Sequence, residues 1–253
     1  MPFGPTTHRH ILATLAIIWS CTMSSAWNAN YDEAKVPAYT LPDPLLCADG
    51  TRVGDVTTWE AKRRPEILEL FREHVYGRMP GRPEGMHWRV LDDAPALAGR
   101  ARRRQVRVFL TAADAEPYFD LLLYLPANQP GPVPAFLGLN FRGNHSIHPD
   151  PAILLNEHWI QNDKVCHVTN NRASEESRGT RGRRWAVDRI LARGYALATV
   201  YYGDIDPDYD DGFKNGVHPL FLKMGIARES LSSIIPPWST KSLKFLLSIP
   251  LAI

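Results

Sequence analysis

The sequence predicts an α/β fold, and three observations carry the prediction. An apolar run, Phe136-Leu137-Gly138-Leu139 behind Pro134, stops abruptly at Asn140-Phe141-Arg142-Gly143-Asn144-His145, as a buried strand entering a polar loop does. After it the order is excursion, helix, strand, which is a parallel crossover unit. Before it two shorter patterns read as strands. In open α/β sheets the loop at the carboxyl end of a central parallel strand is where the chemistry sits.

Length and charge bound the answer. The 253 residues suffice for one domain with a sizeable core, and a formal net charge of +2 gives no global argument for nucleic acid. Cys21, Cys47 and Cys166 match no zinc spacing, and neither a metal nor a cofactor is expected. Cys47 and Cys166 either pair in an oxidising compartment or remain two buried thiols.

Taken in order, residues 1–26 read as a signal peptide. His8-Arg9-His10 supplies a basic start, Ile11–Trp19 an apolar core too short to span a membrane, and Ser24-Ser25-Ala26 the small residues for cleavage. The protein is expected to be exported, periplasmic or extracellular, with its mature chain beginning near Trp27. The Pro-rich stretch Asn30–Pro44 predicts an extended arm over the domain. Thr57-Thr-Trp-Glu60 has capping-box spacing and opens a helix to Tyr76, with Pro65 in the first turn and Gly77 as its stop. Ile67, Leu70, Phe71 and Val75 form the stripe this helix should bury.

Gln105–Leu110 places Val106, Val108 and Leu110 on one face of a strand, and Tyr118–Leu125 is a strand apolar on both faces. Arg102-Arg103-Arg104 reads as a solvated strand end, since no aromatic platform accompanies it as nucleic-acid binding would require. Ser146–Arg183 is polar with little periodicity, and its His148, His158 and His167 lack the spacing of a zinc helix. Arg178–Arg184 is basic. Trp185–Arg193 predicts a helix with Trp185, Ile190 and Leu191 inward and Gly194 as its stop. Tyr195–Tyr202 predicts a strand, and Gly203–Asp208 a polar turn without the ligand order of a calcium loop.

Three stretches resemble a known family. Arg64-Pro-Glu-Ile-Leu-Glu-Leu-Phe-Arg-Glu-His-Val-Tyr-Gly77, Leu139-Asn-Phe-Arg-Gly-Asn-His145 and Tyr201-Tyr-Gly-Asp-Ile-Asp-Pro-Asp208 are similar to the bacterial glucuronoyl esterases of carbohydrate esterase family fifteen and to acetyl xylan esterase-like proteins. The resemblance covers roughly Tyr31 to Phe221. It implies the amino-terminal part of a three-layer α/β-hydrolase fold over residues 27–221, with an incomplete sheet. It also implies a serine-type carboxylic ester hydrolase acting on glucuronoyl or acetyl esters of plant xylan, with glucuronoxylan or a lignin-carbohydrate ester as its partner.

The departures from the family are equally specific. The chain contains no Gly-x-Ser, which a nucleophile elbow needs for its tight strand-to-helix turn. Residues 222–253 match nothing in the family and read as a divergent tail, either frameshifted or a genuine variant. No catalytic triad residue is therefore assigned, and the chain is expected to be inactive. The site candidates are the loop residues Asn140, Phe141, Arg142, Gly143, Asn144 and His145, which either contribute a backbone N–H to an oxyanion hole or only hold the turn. A non-catalytic carbohydrate-binding role is the alternative, and Trp159 or Trp185 would be its aromatic platform. By the strand order the resemblance implies, Phe136–Asn140 becomes an open edge of the sheet.

Overall fold

A five-stranded mixed sheet carries the fold in the computed structural model, which describes residues 30–76, 81–127, 129 and 131–223. The expected signal peptide, Gly77 and nearly all of the tail lie outside the described residues. The chain divides after Pro44 into two units. The described part of the first is extended except for one 3-10 turn, Glu33–Lys35, whose N-cap Asp32 accepts from the Ala34 N–H at 3.1 Å.

The second unit begins with a helical run. Turns α1 (Val56–Thr58) and α2 (Arg64–Phe71) are joined by a π-helical turn, Trp59–Arg63, and followed by another, Arg72–Tyr76. The N-cap is Asp55, whose carboxylate accepts from the Thr58 N–H at 2.7 Å, rather than the expected Thr57. Asp55 outcompetes the threonine because its charged oxygen also meets the positive end of the helix. Pro65 lies in the first turn of α2, as expected, although α2 continues a helical run that begins earlier. The wide turn before it removes the strain a proline ring would otherwise cause, since the Arg64 N–H bonds five residues back to the Trp59 carbonyl. The apolar stripe is not buried as expected: Leu70, Phe71 and Val75 remain about half exposed. An amphipathic stripe is buried only where a second element packs on it, and this helix mainly contacts its own turns.

The strands are β1 (His87–Ala96), β2 (Ala101–Phe109), β3 (Tyr118–Pro126), β4 (Ala135–Asn140) and β5 (Ala196–Tyr201). Their order is β1-β2-β3-β5-β4, antiparallel up to β5, with β4 and β5 parallel. The expected crossover is therefore present, and β4 forms an open edge among the described residues. β1 has no counterpart in the sequence reading. Most of its residues are exposed, and Asp92 and Asp93 face the arginines of β2 rather than a core.

Side-chain alternation divides the core. Leu121 and Leu123 of β3 join Val106, Val108, Leu110, Ala198 and Val200 on one face, where Phe221 of α5 (His218–Lys223) packs. Leu122 and Tyr124 of β3 face the other way, onto Ile147, Val187 and Leu191. Each such buried aliphatic contributes roughly 1.5–3 kcal/mol, so the two faces of β3 and β5 dominate stability. The expected helix over 185–193 is broken into α3 (Gly182–Trp185) and α4 (Val187–Leu191) by Ala186, whose left-handed backbone (φ 43°) ends the first turn.

The arginines of β2 are paired. Arg103 is 5% exposed and reaches Asp92 and Asp150 at 2.7 Å, while Tyr124 donates to the same Asp150 at 2.7 Å. Arg104 reaches Asp93 at 2.9 Å, and Arg107 reaches Asp120 at 2.8 Å. These carboxylates neutralise a run that looked basic in the sequence. Cys47 and Cys166 are both buried free thiols, which selects one of the two readings open at the sequence level.

Candidate functional site

The site is built where β4 and β5 end side by side. Asn140, the last residue of β4, is 1% exposed, and its amide donates to Asn144 Oδ1 at 2.7 Å and to Thr199 Oγ1 at 3.0 Å. The Asn144 amide in turn donates to the Asp120 carbonyl of β3 at 2.7 Å. One chain of amides thus ties β3, β5 and β4 together beneath the loop. Asn140 Oδ1 itself has no partner within the protein, so the network is held through its donors, and breaking one link exposes the cost of the others.

Gly143 turns the chain with φ +86°, a conformation that L side chains rarely adopt. A Cβ there would lie 2.5 Å from the His145 ring. The glycine therefore makes room for a protein side chain, whatever it also offers a substrate. The 3-10 turn Asn144–Ile147 follows.

The candidate loop residues separate into two groups. Asn140, Asn144 and His145 are buried and hold the loop. Phe141 and Arg142 line a cavity of about 300 Å³ together with Arg181, Arg184, Trp185 and Tyr202. Arg142 and Arg181 share the Asp163 carboxylate, at 3.0 and 3.3 Å. Asp208 also lines the cavity, and Arg184 has no ion-pair partner among the described residues, so the three arginines still outnumber the carboxylates Asp163 and Asp208. Trp185 can pack over β4 because position 138 is glycine, where a Cβ would lie 3.1 Å from the indole. Arg181, Arg184 and Tyr202 escaped the sequence reading. Their only signals were the basic run Arg178–Arg184 and the aromatic end of the last strand.

His145 does not face this cavity. It is fully buried, with Nε2 2.8 Å from Ser177 Oγ. The Ser177 hydroxyl donates to the Ser174 carbonyl at 2.6 Å, so Nε2 carries the proton in the imidazole–hydroxyl bond. Burial, and then the nearby Arg178 charge, push the imidazole down to about 4. A neutral ring with its donor already engaged is a brace. Ser146 lies at the cavity wall, but its Oγ donates to the Gly143 carbonyl at 2.7 Å and the residue is 1% exposed. Among the described residues no serine lies within reach of a free base and an orienting acid in this cavity.

A second cavity opens on the β3 side of the same sheet end, about 490 Å³ in volume. Its rear wall is Asp204, which is buried and accepts from Asn156 at 2.7 Å, from the Asp120 N–H at 3.2 Å and from His158 Nδ1 at 2.9 Å. Burial lowers the His158 pKa, but the bond to Asp204 and the charges of Asp204, Glu116 and Asp120 outweigh it and raise the imidazole above its ordinary value. The turn expected over 203–208 is therefore a structural anchor, although its residues are far from their partners in sequence.

Comparison with known proteins gives a consistent answer. No protein-family profile matches the chain. Carbohydrate esterase MZ0003, from an unknown prokaryotic organism, is 45% identical over 197 residues, or 77% of this chain and 45% of that protein. Among solved structures, a promiscuous CE15 esterase from a marine bacterial metagenome is 44% identical, with a TM-score of 0.66 over 77% of this chain and 48% of its own. The glucuronoyl esterase of Solibacter usitatus is 45% identical, with a TM-score of 0.68 over 77% of this chain and 49% of its own. A CE15 glucuronoyl esterase from Teredinibacter turnerae T7901, at 23% identity and a TM-score of 0.56, shares the fold. The chain spans about half the length of the relatives it matches. Identity at this level over three-quarters of the chain, on a mixed open sheet of the same α/β-hydrolase type, makes the chain a relative of the CE15 glucuronoyl esterases over about half of their length.

Proposed function

We propose that this chain forms the sugar-acid-binding wall of an exported carboxylic ester hydrolase for glucuronoyl esters of plant xylan, and that it has no turnover of its own. The observation that carries the reading is the cavity at the ends of β4 and β5, where Arg142, Arg181 and Arg184 surround an indole. Guanidinium groups match a carboxylate product or a carbonyl oxygen gaining charge. An aromatic wall suits the apolar face of a sugar ring. Catalysis is absent from the proposal because Ser146 and His145 are both occupied in holding the loop.

Export rests on the Ile11–Trp19 run and the small residues before Trp27. No helix among the described residues is long and apolar enough to cross a membrane. Amino-terminal sequencing of secreted protein should begin near Trp27, and an intact Met1 would count against export.

Calorimetric titration with glucuronate tests the binding reading. Arg184→Ala should weaken binding by about tenfold, the value of one charge-assisted contact of roughly 1.4 kcal/mol. Unchanged affinity in a folded variant would remove the arginine cavity from the account.

A further inference from the structure

Residues 110–117 join β2 to β3 and form one rim of the second cavity, which Glu116 and Pro117 line. One backbone bond closes the base of this loop, from the Leu110 N–H to the Pro117 carbonyl at 3.0 Å. Its exposed tip reads Ala112-Ala-Asp-Ala-Glu116, so Asp114 and Glu116 are the only polar side chains there. A histidine faces each of them. His87 Nε2, on β1, lies 2.8 Å from Asp114, which also pairs with Arg89. The His87 ring stacks on Phe109 at 4.9 Å, and its Nδ1 lies 3.1 Å from the Gly85 carbonyl and 3.0 Å from the Thr111 carbonyl. His158, in the segment after β4, has Nε2 3.3 Å from Glu116 and Nδ1 2.9 Å from Asp204.

Every oxygen facing these ring nitrogens belongs to a carbonyl or a carboxylate, and such groups only accept. A neutral imidazole donates from one nitrogen, and only the imidazolium donates from both. Loss of a proton therefore costs each ring one partner. At His158 the buried Asp204 keeps the remaining proton, so Glu116 is released. At His87 two carbonyls keep it on Nδ1, so Asp114 is released, and the exposed Arg89 pair that remains holds little. The charged groups around His87 are Asp114 and, beyond it, Arg89. Those around His158 are Asp204, Glu116 and Asp120, with Glu157 and Asp211 facing Arg172 and Lys214 across the cavity. Carboxylates outnumber cations around His158, and at His87 the Asp114 carboxylate lies between the ring and Arg89, so both rings favour the charged form. The bond to Asp114 raises His87 above the ordinary value of 6.5, and at His158 burial opposes the rise but the bond to Asp204 outweighs it. A raised histidine holds its partner fully below the ordinary value and loses it as pH climbs through the raised one.

We infer that the loop over residues 110–117 is a pH-operated flap at the rim of the second cavity, latched to β1 by His87 and to the segment after β4 by His158, and released toward the alkaline side. Release opens the cavity at Glu116 while the Asp204 wall stays in place. Hydrogen–deuterium exchange of the whole chain, read by mass spectrometry over residues 111–117 and over β3 as a reference, tests this. With intrinsic exchange rates divided out, loop protection should fall about tenfold between about pH 5.5 and about pH 9, the order of one charge-assisted contact, while β3 keeps its protection. The double variant Asp114→Asn, Glu116→Gln should show the low loop protection already at the acid pH. Loop protection independent of pH in the wild type, or acid protection retained in the double variant, would overturn the inference. So would an equal loss over β3, because the sheet would then be unfolding rather than a flap opening. Should the double variant lose its cooperative melt, Glu116→Gln alone decides, because that side chain is 73% exposed and contributes little to folding.

Discussion

The two edges of the sheet are built differently. β1 carries the devices by which natural proteins blunt an edge: charged residues, a bulge between Val90 and Asp92, and Pro95 near its end. Its carboxylates are spent on the arginines of β2. β4 has none of these. Its sequence is Ala-Phe-Leu-Gly-Leu-Asn, Phe136 is 54% exposed, and the Tyr195 ring lies tilted against it at 5.3 Å. One edge is finished and the other has the composition of an interior strand. The arginine cavity opens beside the unfinished edge, at the carboxyl end of β4. The difference teaches that the proposed binding wall and the open edge of the sheet coincide among the described residues.

Substitutions on the two edges should sharpen that contrast. Phe136→Lys adds the missing gatekeeper charge to β4, so the aggregated fraction on size-exclusion chromatography should fall several-fold. Trp88→Lys on β1 should leave the profile unchanged. Equal responses at both edges would show that β4 is not the exposed liability.

Smaller effects lie inside. His145→Ala removes a fully buried ring and its bond to Ser177, costing about 3 kcal/mol in urea unfolding. Arg102→Ala, which removes an exposed pair on the β1–β2 side, should leave the unfolding midpoint nearly unchanged. A small loss at His145 would mean that the loop is not braced as described.

The two histidines also give the pH profile a direction. His145 is held near 4 against an ordinary 6.5, so the unfolded chain binds the extra proton between those values. Its contribution is complete above about 6.5 and lost as pH falls toward 4. His158 is raised, so its contribution is complete below the ordinary value and lost as pH rises through the raised one. Melting temperature should fall on the acid side in the wild type, and less steeply in His145→Phe. The same slope in both would assign the acid loss to other groups.

Much of this was legible in the sequence where a signal was local. The two-sided apolar strand β3, the one-sided β2 and the parallel pair β4 and β5 follow from periodicity, and the loop at 140–145 follows from its abrupt polarity. β1 was not legible, because its partners are arginines and solvent rather than a core. Nor was the division of the loop into Phe141 and Arg142 at the cavity and Asn144 and His145 beneath it. The two groups lie on either side of Gly143, whose positive φ of 86° turns the chain. The Asp204 anchor was invisible because its partners at 120, 156 and 158 come together only in the folded chain.

Steady-state hydrolysis of a benzyl glucuronate ester by the purified chain tests the central claim most directly. The account predicts a rate indistinguishable from buffer at every ester concentration, since among the described residues no activated nucleophile reaches the arginine cavity. Saturable turnover that disappears in Ser146→Ala would contradict it, and would identify the buried serine as a nucleophile released from the Gly143 carbonyl when substrate binds.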